Sequence, residues 1–151
     1  IVSLEGECRH ITSYLQIQQV RYQDILTYDV DIPEEIANCK IPKITLQPLV
    51  ENALYHGIKN KRGKGRIVVT GRREKDKCVI RVEDNGIGMT KERLNQVRGG
   101  LTTKIEDSND FYGLYNVNER IRLKFGEEYG LSIDSVLQEG TCVEVWLPWE
   151  S

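Results

Sequence analysis

Several things are scarce in this sequence. No apolar run approaches the roughly 20 residues that a membrane-spanning helix needs, and no signal peptide opens the chain. An excess of one charge is missing too. The 21 basic side chains face 23 acidic ones, for a net charge of −2, which disfavours a protein held to nucleic acid by a broad basic field. Four cysteines, at 8, 39, 78 and 142, form no C-x-x-C pair. A disulfide scaffold would be shorter and denser in cysteine, so these read as buried reduced thiols of a cytoplasmic protein. There is no internal repeat and no low-complexity segment. Methionine occurs once, at Met89, and the chain starts at Ile1; both are expected of an excised piece of something longer. What is present suits one domain, since 151 residues bury about two-thirds of their unfolded surface on folding.

Periodicity supplies the elements. Ser3 caps a first helix with Glu5 and Glu7 in its first turn and Leu4, Cys8, Ile11 and Leu15, with Tyr14 beside them, at helical spacing, to about Tyr22. Residues 25–32 read as a strand ended by Pro33. Thr45 is placed to cap a second helix, whose buried face is Leu46, Leu49, Val50, Ala53 and Leu54; Pro48 falls in its first turn, and Gly57 is the expected stop. A solvated basic stretch, 59–66, leads to two strands, 66–72 and 78–83, joined by a charged turn as an antiparallel hairpin. Thr90 caps a short helix to about Val97, with Gly99 and Gly100 expected to break it; residues 102–110 are polar with little to bury. Such long connections are usually functional lids or disordered, and the lid is set at about 87–112. A helix from Gly113 carries Leu114, Val117, Ile121 and Phe125 and stops at Gly126. Strands over 131–137 and 141–147 close the chain. Paired strands with segregated helices predict an α/β two-layer sandwich with a mixed, mostly antiparallel sheet.

Four features carry chemistry. Asp84-Asn85-Gly86-Ile87-Gly88 follows a strand directly. Its aspartate can accept from an exocyclic amine and its glycines let backbone approach a ligand, although Asp-Asn-Gly is also a common turn. Asn52 and His56 share a helix face at i and i+4. They read either as the polar edge of an amphipathic helix or as an amide oxygen offered to a hard cation such as Mg²⁺. Gly113 and Leu114 read either as a plain helix start with glycine in the lid hinge or as free N–H groups that favour a phosphate. Gly140-Thr141 starts the last strand and reads either as a turn glycine before a β-branched strand residue or as a hydroxyl that can help fix a base.

In this order the four features resemble a family. Leu46-Gln47-Pro48-Leu49-Val50-Glu51-Asn52-Ala53-Leu54-Tyr55-His56-Gly57 looks like the N box of the GHKL nucleotide-binding superfamily, Asp84 to Gly88 its first glycine box, and Gly113-Leu114 its second. The N box, the segment around Leu15 to Arg21 and Asn116-Val117-x-Glu119-Arg120 resemble the catalytic ATP-binding domain of LytS/YesM-type sensor histidine kinases, essentially from Ser3 to Pro148. The resemblance implies the Bergerat fold, with ATP between a helical layer and a mobile lid. Asn52 would bind Mg²⁺ and, with its neighbour Glu51, form the catalytic pair. Asp84 would accept from the adenine amino group, and Thr141 would support that end. Gly86, Ile87, Gly88 and Met89 would close on the nucleotide, His56 would stack on adenine, and Gly113 and Leu114 would offer amides to the phosphates.

The chain departs from the family pattern at Tyr55, where related kinases place a phosphate-contacting lysine, and at Phe111, where the second glycine box has its first glycine. Pro48 stands where hydrolysing members hold a water-activating glutamate, and Glu51 lies about 100° round the helix from Asn52. An autonomous ATPase is therefore disfavoured. Of the two histidines, His56 belongs to the N box, and His10 lacks the family's phosphoacceptor setting. The resemblance thus implies an acceptor histidine on a preceding dimerisation domain, joined by residues 1–22 to the ATP-binding domain at 23–151. It further implies a membrane-anchored, homodimeric parent and a response-regulator partner. Alternatives are a non-catalytic nucleotide-sensing module and an anti-sigma-type serine kinase.

Overall fold

A computed structural model describes residues 1–22, 25–58, 64–102 and 112–149, with the side chains of His56 and Tyr112 left aside. In chain order the elements are β1 (Val2–Ser3), α1 (Leu4–Arg21), β2 (Leu26–Asp31), a 3-10 turn (Glu34–Ile36), β3 (Lys40–Ile41), α2 (Leu46–Asn52) continued by a π-turn (Ala53–Ile58), β4 (Gly65–Glu74), β5 (Lys77–Asp84), α3 (Lys91–Gly100), α4 (Tyr112–Phe125), β6 (Gly130–Val136) and β7 (Gly140–Pro148). Five strands form one mixed sheet in the order β2-β4-β5-β7-β6. β2 runs parallel to β4, and the other pairs are antiparallel. The two-layer architecture and the β4–β5 hairpin are as expected. The short β1 and β3, which the sequence reading does not anticipate, pair with each other and fasten the start of α1.

Strand alternation sorts the sheet into two faces. Ile67, Val69, Cys78, Ile80, Val82, Val143, Val145 and Leu147 point inward and are buried with Leu4, Ile11 and Leu15 of α1, Leu49 and Val50 of α2, and Leu114, Val117 and Ile121 of α4. Each such side chain contributes about 1.5–3 kcal/mol over leaving it in water. The outward residues are charged and pair: Arg72 of β4 with Glu144 of β7 at 3.0 Å, and Arg81 with Glu83 two residues along β5 at 2.7 Å. Both tryptophans sit where β7 ends. Arg72 and Lys77 lie over Trp146, and Arg73 lies 3.5 Å from the Trp149 ring centre. None of the four cysteines forms a disulfide.

The local stop and start signals have mixed outcomes. Ser3 Oγ accepts the Gly6 N–H at 3.2 Å, Thr90 Oγ1 accepts that of Arg93 at 3.2 Å, and Gly126, at φ 117°, closes α4 with its N–H on Arg122 O. Thr45 does not cap α2: its hydroxyl donates to Pro42 O at 2.6 Å. The cap comes from Glu7, 3% exposed, whose carboxylate accepts the N–H groups of Ile44, Thr45 and Leu46 at 2.9, 3.1 and 3.2 Å. A buried carboxylate on three N–H donors at a helix start is favoured by both hydrogen bonding and the helix dipole. Gly57 does not stop the second helix, which runs on as a π-turn through Ile58. Nor do Gly99 and Gly100 break α3, which runs through both and ends at Gly100; Leu94, Val97 and Leu101 are buried along it.

Candidate functional site

The first glycine box turns directly off β5. Asp84 Oδ1 accepts the Gly86 N–H at 2.8 Å, which holds the turn, and Ile87 O accepts the Gln138 N–H at 2.7 Å. Gly88 adopts φ 67°, and a Cβ there would lie 2.1 Å from Val136 O. Both the conformation and the space demand glycine. Across the turn, Gly140 adopts φ 133°, where a Cβ would lie 2.0 Å from Asp84 O. The two turns therefore touch through backbone. One hydroxyl ties them: Ser135 Oγ accepts the Met89 N–H, donates to Gly140 O and meets Thr141 Oγ1, each at 2.9 Å. With the serine proton on Gly140 O, Thr141 donates to Ser135 and keeps its lone pairs as acceptors.

The other end is helical. Asn52, half-buried at the end of α2, donates its Nδ2 to Pro48 O at 2.9 Å. This orients the amide so that Oδ1 is the acceptor end, the atom a hard cation takes. Leu114 is buried in the first turn of α4, and a Cβ on Gly113 would lie 3.6 Å from Pro48 Cβ, so the two helix starts pack closely. Glu51 points toward α1: Gln47 Nε2 donates to Glu51 Oε1 at 2.8 Å, and His10 Nε2 donates to Gln47 Oε1. Burial, then Tyr55 and Glu51, push the nearby Tyr14 hydroxyl up.

Between the ends lies a small, mostly apolar cavity. Asn52, Gly88, Met89, Leu114 and Thr141 line it together with Leu49, Ala53, Val82, Ile133 and Val143. Asp84 lies in an adjoining recess that shares Thr141 and includes Ser135. Five of the predicted site residues thus meet in one cavity from α2, the β5 turn, α4 and β7. Glu51 is not among its lining residues. His56 lies in the π-turn, where α-helical spacing no longer relates it to Asn52. Residues 59–63 of the basic stretch, and 103–111 of the predicted lid with Phe111, lie outside the described residues. Sequence reasoning missed Ser135 and Glu7; Ser135 carries no local signal beyond its place in an alternating strand. Among the described residues no cluster of three or more histidine, cysteine, aspartate or glutamate side chains is set to hold a metal. A lone amide oxygen suits Mg²⁺ that is shared with substrate phosphates.

A sheet with helices on one face and an apolar cavity between a glycine turn and an asparagine-bearing helix are the architecture of the GHKL type. The chain belongs to the family of histidine kinase-, DNA gyrase B- and HSP90-like ATPases, which residues 42–151 match, and it is a catalytic ATP-binding domain of that family. It is 36% identical over 149 residues to the sensor histidine kinase YesM of Bacillus subtilis, covering 98% of this chain and 24% of that protein. It is 35% identical over 150 residues to the sensor protein LytS of Staphylococcus saprophyticus, covering 99% and 25%. The chain therefore spans about a quarter of the length of these curated relatives. The catalytic domain of histidine kinase ThkA, in a nucleotide-free form, superposes with a TM-score of 0.72 at 12% identity, covering 97% of this chain and 94% of that one. That likeness shows the fold.

Proposed function

We propose that this domain binds Mg-ATP and hands the γ-phosphoryl group to a histidine on a preceding dimerisation domain, as the catalytic part of a sensor histidine kinase. The observation that carries this reading is the single cavity into which Asn52, Gly88, Met89, Leu114 and Thr141 converge from separate elements. Asp84 accepts a hydrogen bond from the adenine amino group, and Thr141, its proton committed to Ser135, accepts at the same end. The backbone of Gly86, Ile87, Gly88 and Met89 closes on the base, with the His56 ring as the stacking candidate. The amides of Gly113 and Leu114 receive the phosphates at the α4 start.

Asn52 Oδ1 would hold Mg²⁺, which when bound would neutralise phosphate charge. Phosphoryl transfer asks the protein mainly for position and charge. Glu51, turned toward α1, has the role of a neighbouring acid on the Asn52 helix. No described helix is long and apolar enough to cross a membrane; the span belongs to the rest of a membrane-anchored, homodimeric parent that passes the phosphoryl group to a response regulator.

The test is to add labelled ATP and Mg²⁺ to the purified chain, with and without a supplied upstream helical domain. The expected result is ATP binding without phosphorylation of the chain alone, and acid-labile phosphohistidine on the added domain. Acid-labile label on the chain alone overturns the acceptor assignment. ATP binding without transfer favours the nucleotide-sensing alternative, and acid-stable phosphoserine on a partner the serine-kinase one.

A further inference from the structure

Ile44 is a β-branched residue at φ 59°, where such side chains are genuine outliers. A strained backbone persists only where its surroundings over-determine it. Two helices do so here. The Ile44 N–H donates to Glu7 of α1 at 2.9 Å. The Ile44 carbonyl accepts Nη2 of Arg120 of α4 at 2.6 Å, and Arg120 Nη1 reaches Lys43 O at 3.0 Å. The same Glu7 carboxylate caps α2 through Thr45 and Leu46. Arg120 belongs to the Asn116-Val117-x-Glu119-Arg120 motif, to which the nucleotide site assigns no role.

The clasp stands at one end of α2, and Asn52 stands at the other. Seven residues from Thr45 to Asn52 span about 10 Å, so a tilt at Ile44 moves the Asn52 amide. Arg120 rides on the helix that opens with Gly113 and Leu114. We infer that Glu7 and Arg120 are positioning residues for the phosphate end of the site: by clasping Ile44 between α1 and α4 they set the Asn52 helix against the Gly113–Leu114 amides. This rests on the ATP-binding reading above.

The test is Arg120→Ala, which removes an exposed side chain and leaves two carbonyls open to water. Affinities for ATP with Mg²⁺ and for adenosine are measured by competition against a fluorescent ATP analogue, with thermal melting as the check on folding. ATP affinity is expected to fall about tenfold, a cost typical of misplaced binding groups, while adenosine affinity stays within about twofold and melting is little changed. Arg120→Lys, with one compact donor in place of the fork, is expected to recover part of the loss. Glu7→Gln, which keeps the shape of the cap, should show the same split between ATP and adenosine. Unchanged ATP affinity in Arg120→Ala, a parallel loss for ATP and adenosine, or collapse of the fold overturns the inference. Wild-type protein that binds neither ligand overturns the ATP-binding reading itself, whereas Asp84→Asn should weaken both ligands.

Discussion

At one end of the cavity, the turn after β5 and the turn before β7 press together through backbone, with Gly88 and Gly140 in positions that no side chain could share. At the other end, Asn52 and Leu114 arrive on helices whose relative position depends on Glu7, forty-five residues before Asn52, and on Arg120. The end proposed for adenine is thus fixed by backbone packed on backbone with one serine tie, and the end proposed for phosphate by side chains reaching across the fold. The first is assembled by β5, β6 and β7 of the sheet. The second can respond to α1, which enters from the amino-terminal side.

The comparison can be broken most severely at Gly140. Gly140→Ala forces a methyl against Asp84 O, and unfolding by denaturant should show a loss of about 3–5 kcal/mol. A loss under about 1 kcal/mol would mean that the turns can part and that this end is not rigid. Glu7→Ala strips three N–H groups, two of them buried, of their acceptor and should cost about 2–4 kcal/mol in the same measurement.

Asp84→Asn keeps an oxygen for the Gly86 N–H but loses the charge offered to an amine. It should weaken ATP binding about tenfold to a hundredfold, that is about 1.5–3 kcal/mol, with stability nearly unchanged. Unchanged affinity would sink the adenine assignment. Ser135→Ala should cost about 1 kcal/mol of stability and a few-fold in ATP affinity, with adenosine affected as much as ATP.

The smallest effect is a slope with pH. Burial pushes the Cys142 thiol up from 9.0 to about 11 and the Cys8 thiol up to about 12. Above pH 9 the unfolded chain releases these protons while the folded one keeps them, so the unfolded state holds fewer protons and stability falls as pH rises through about 9–12. Denaturation midpoints across that range check this, and Cys142, at the edge of the adenine end, should alkylate before the more buried Cys8.

The same division explains what could be read from the sequence. Ser3, Thr90 and Gly126 act on backbone groups within four residues of themselves, and each performs the role its position implies. The Asp84 turn and the Gly140-Thr141 turn are short motifs whose chemistry is local, and the structure places them face to face. The cap of α2 is different. Thr45 has the right type in the right place, yet Glu7 occupies the N–H groups first, and nothing within the N box says so. Ser135 joins three elements through one oxygen, a fact of sheet register, which periodicity does not carry. The continuation of α3 through Gly99 and Gly100 reflects burial of Leu94, Val97 and Leu101, which overrides glycine's low helix propensity.

Trp146 and Trp149 give the molecule an optical asymmetry. Trp146 lies five residues along β7 from Thr141, about 17 Å at the rise of a strand, under the cations of Arg72 and Lys77. Neither indole lines the cavity. Intrinsic emission therefore watches the far margin of the sheet, and a change in it on adding ATP would register a disturbance relayed along β7, while a silent signal would be compatible with a full site.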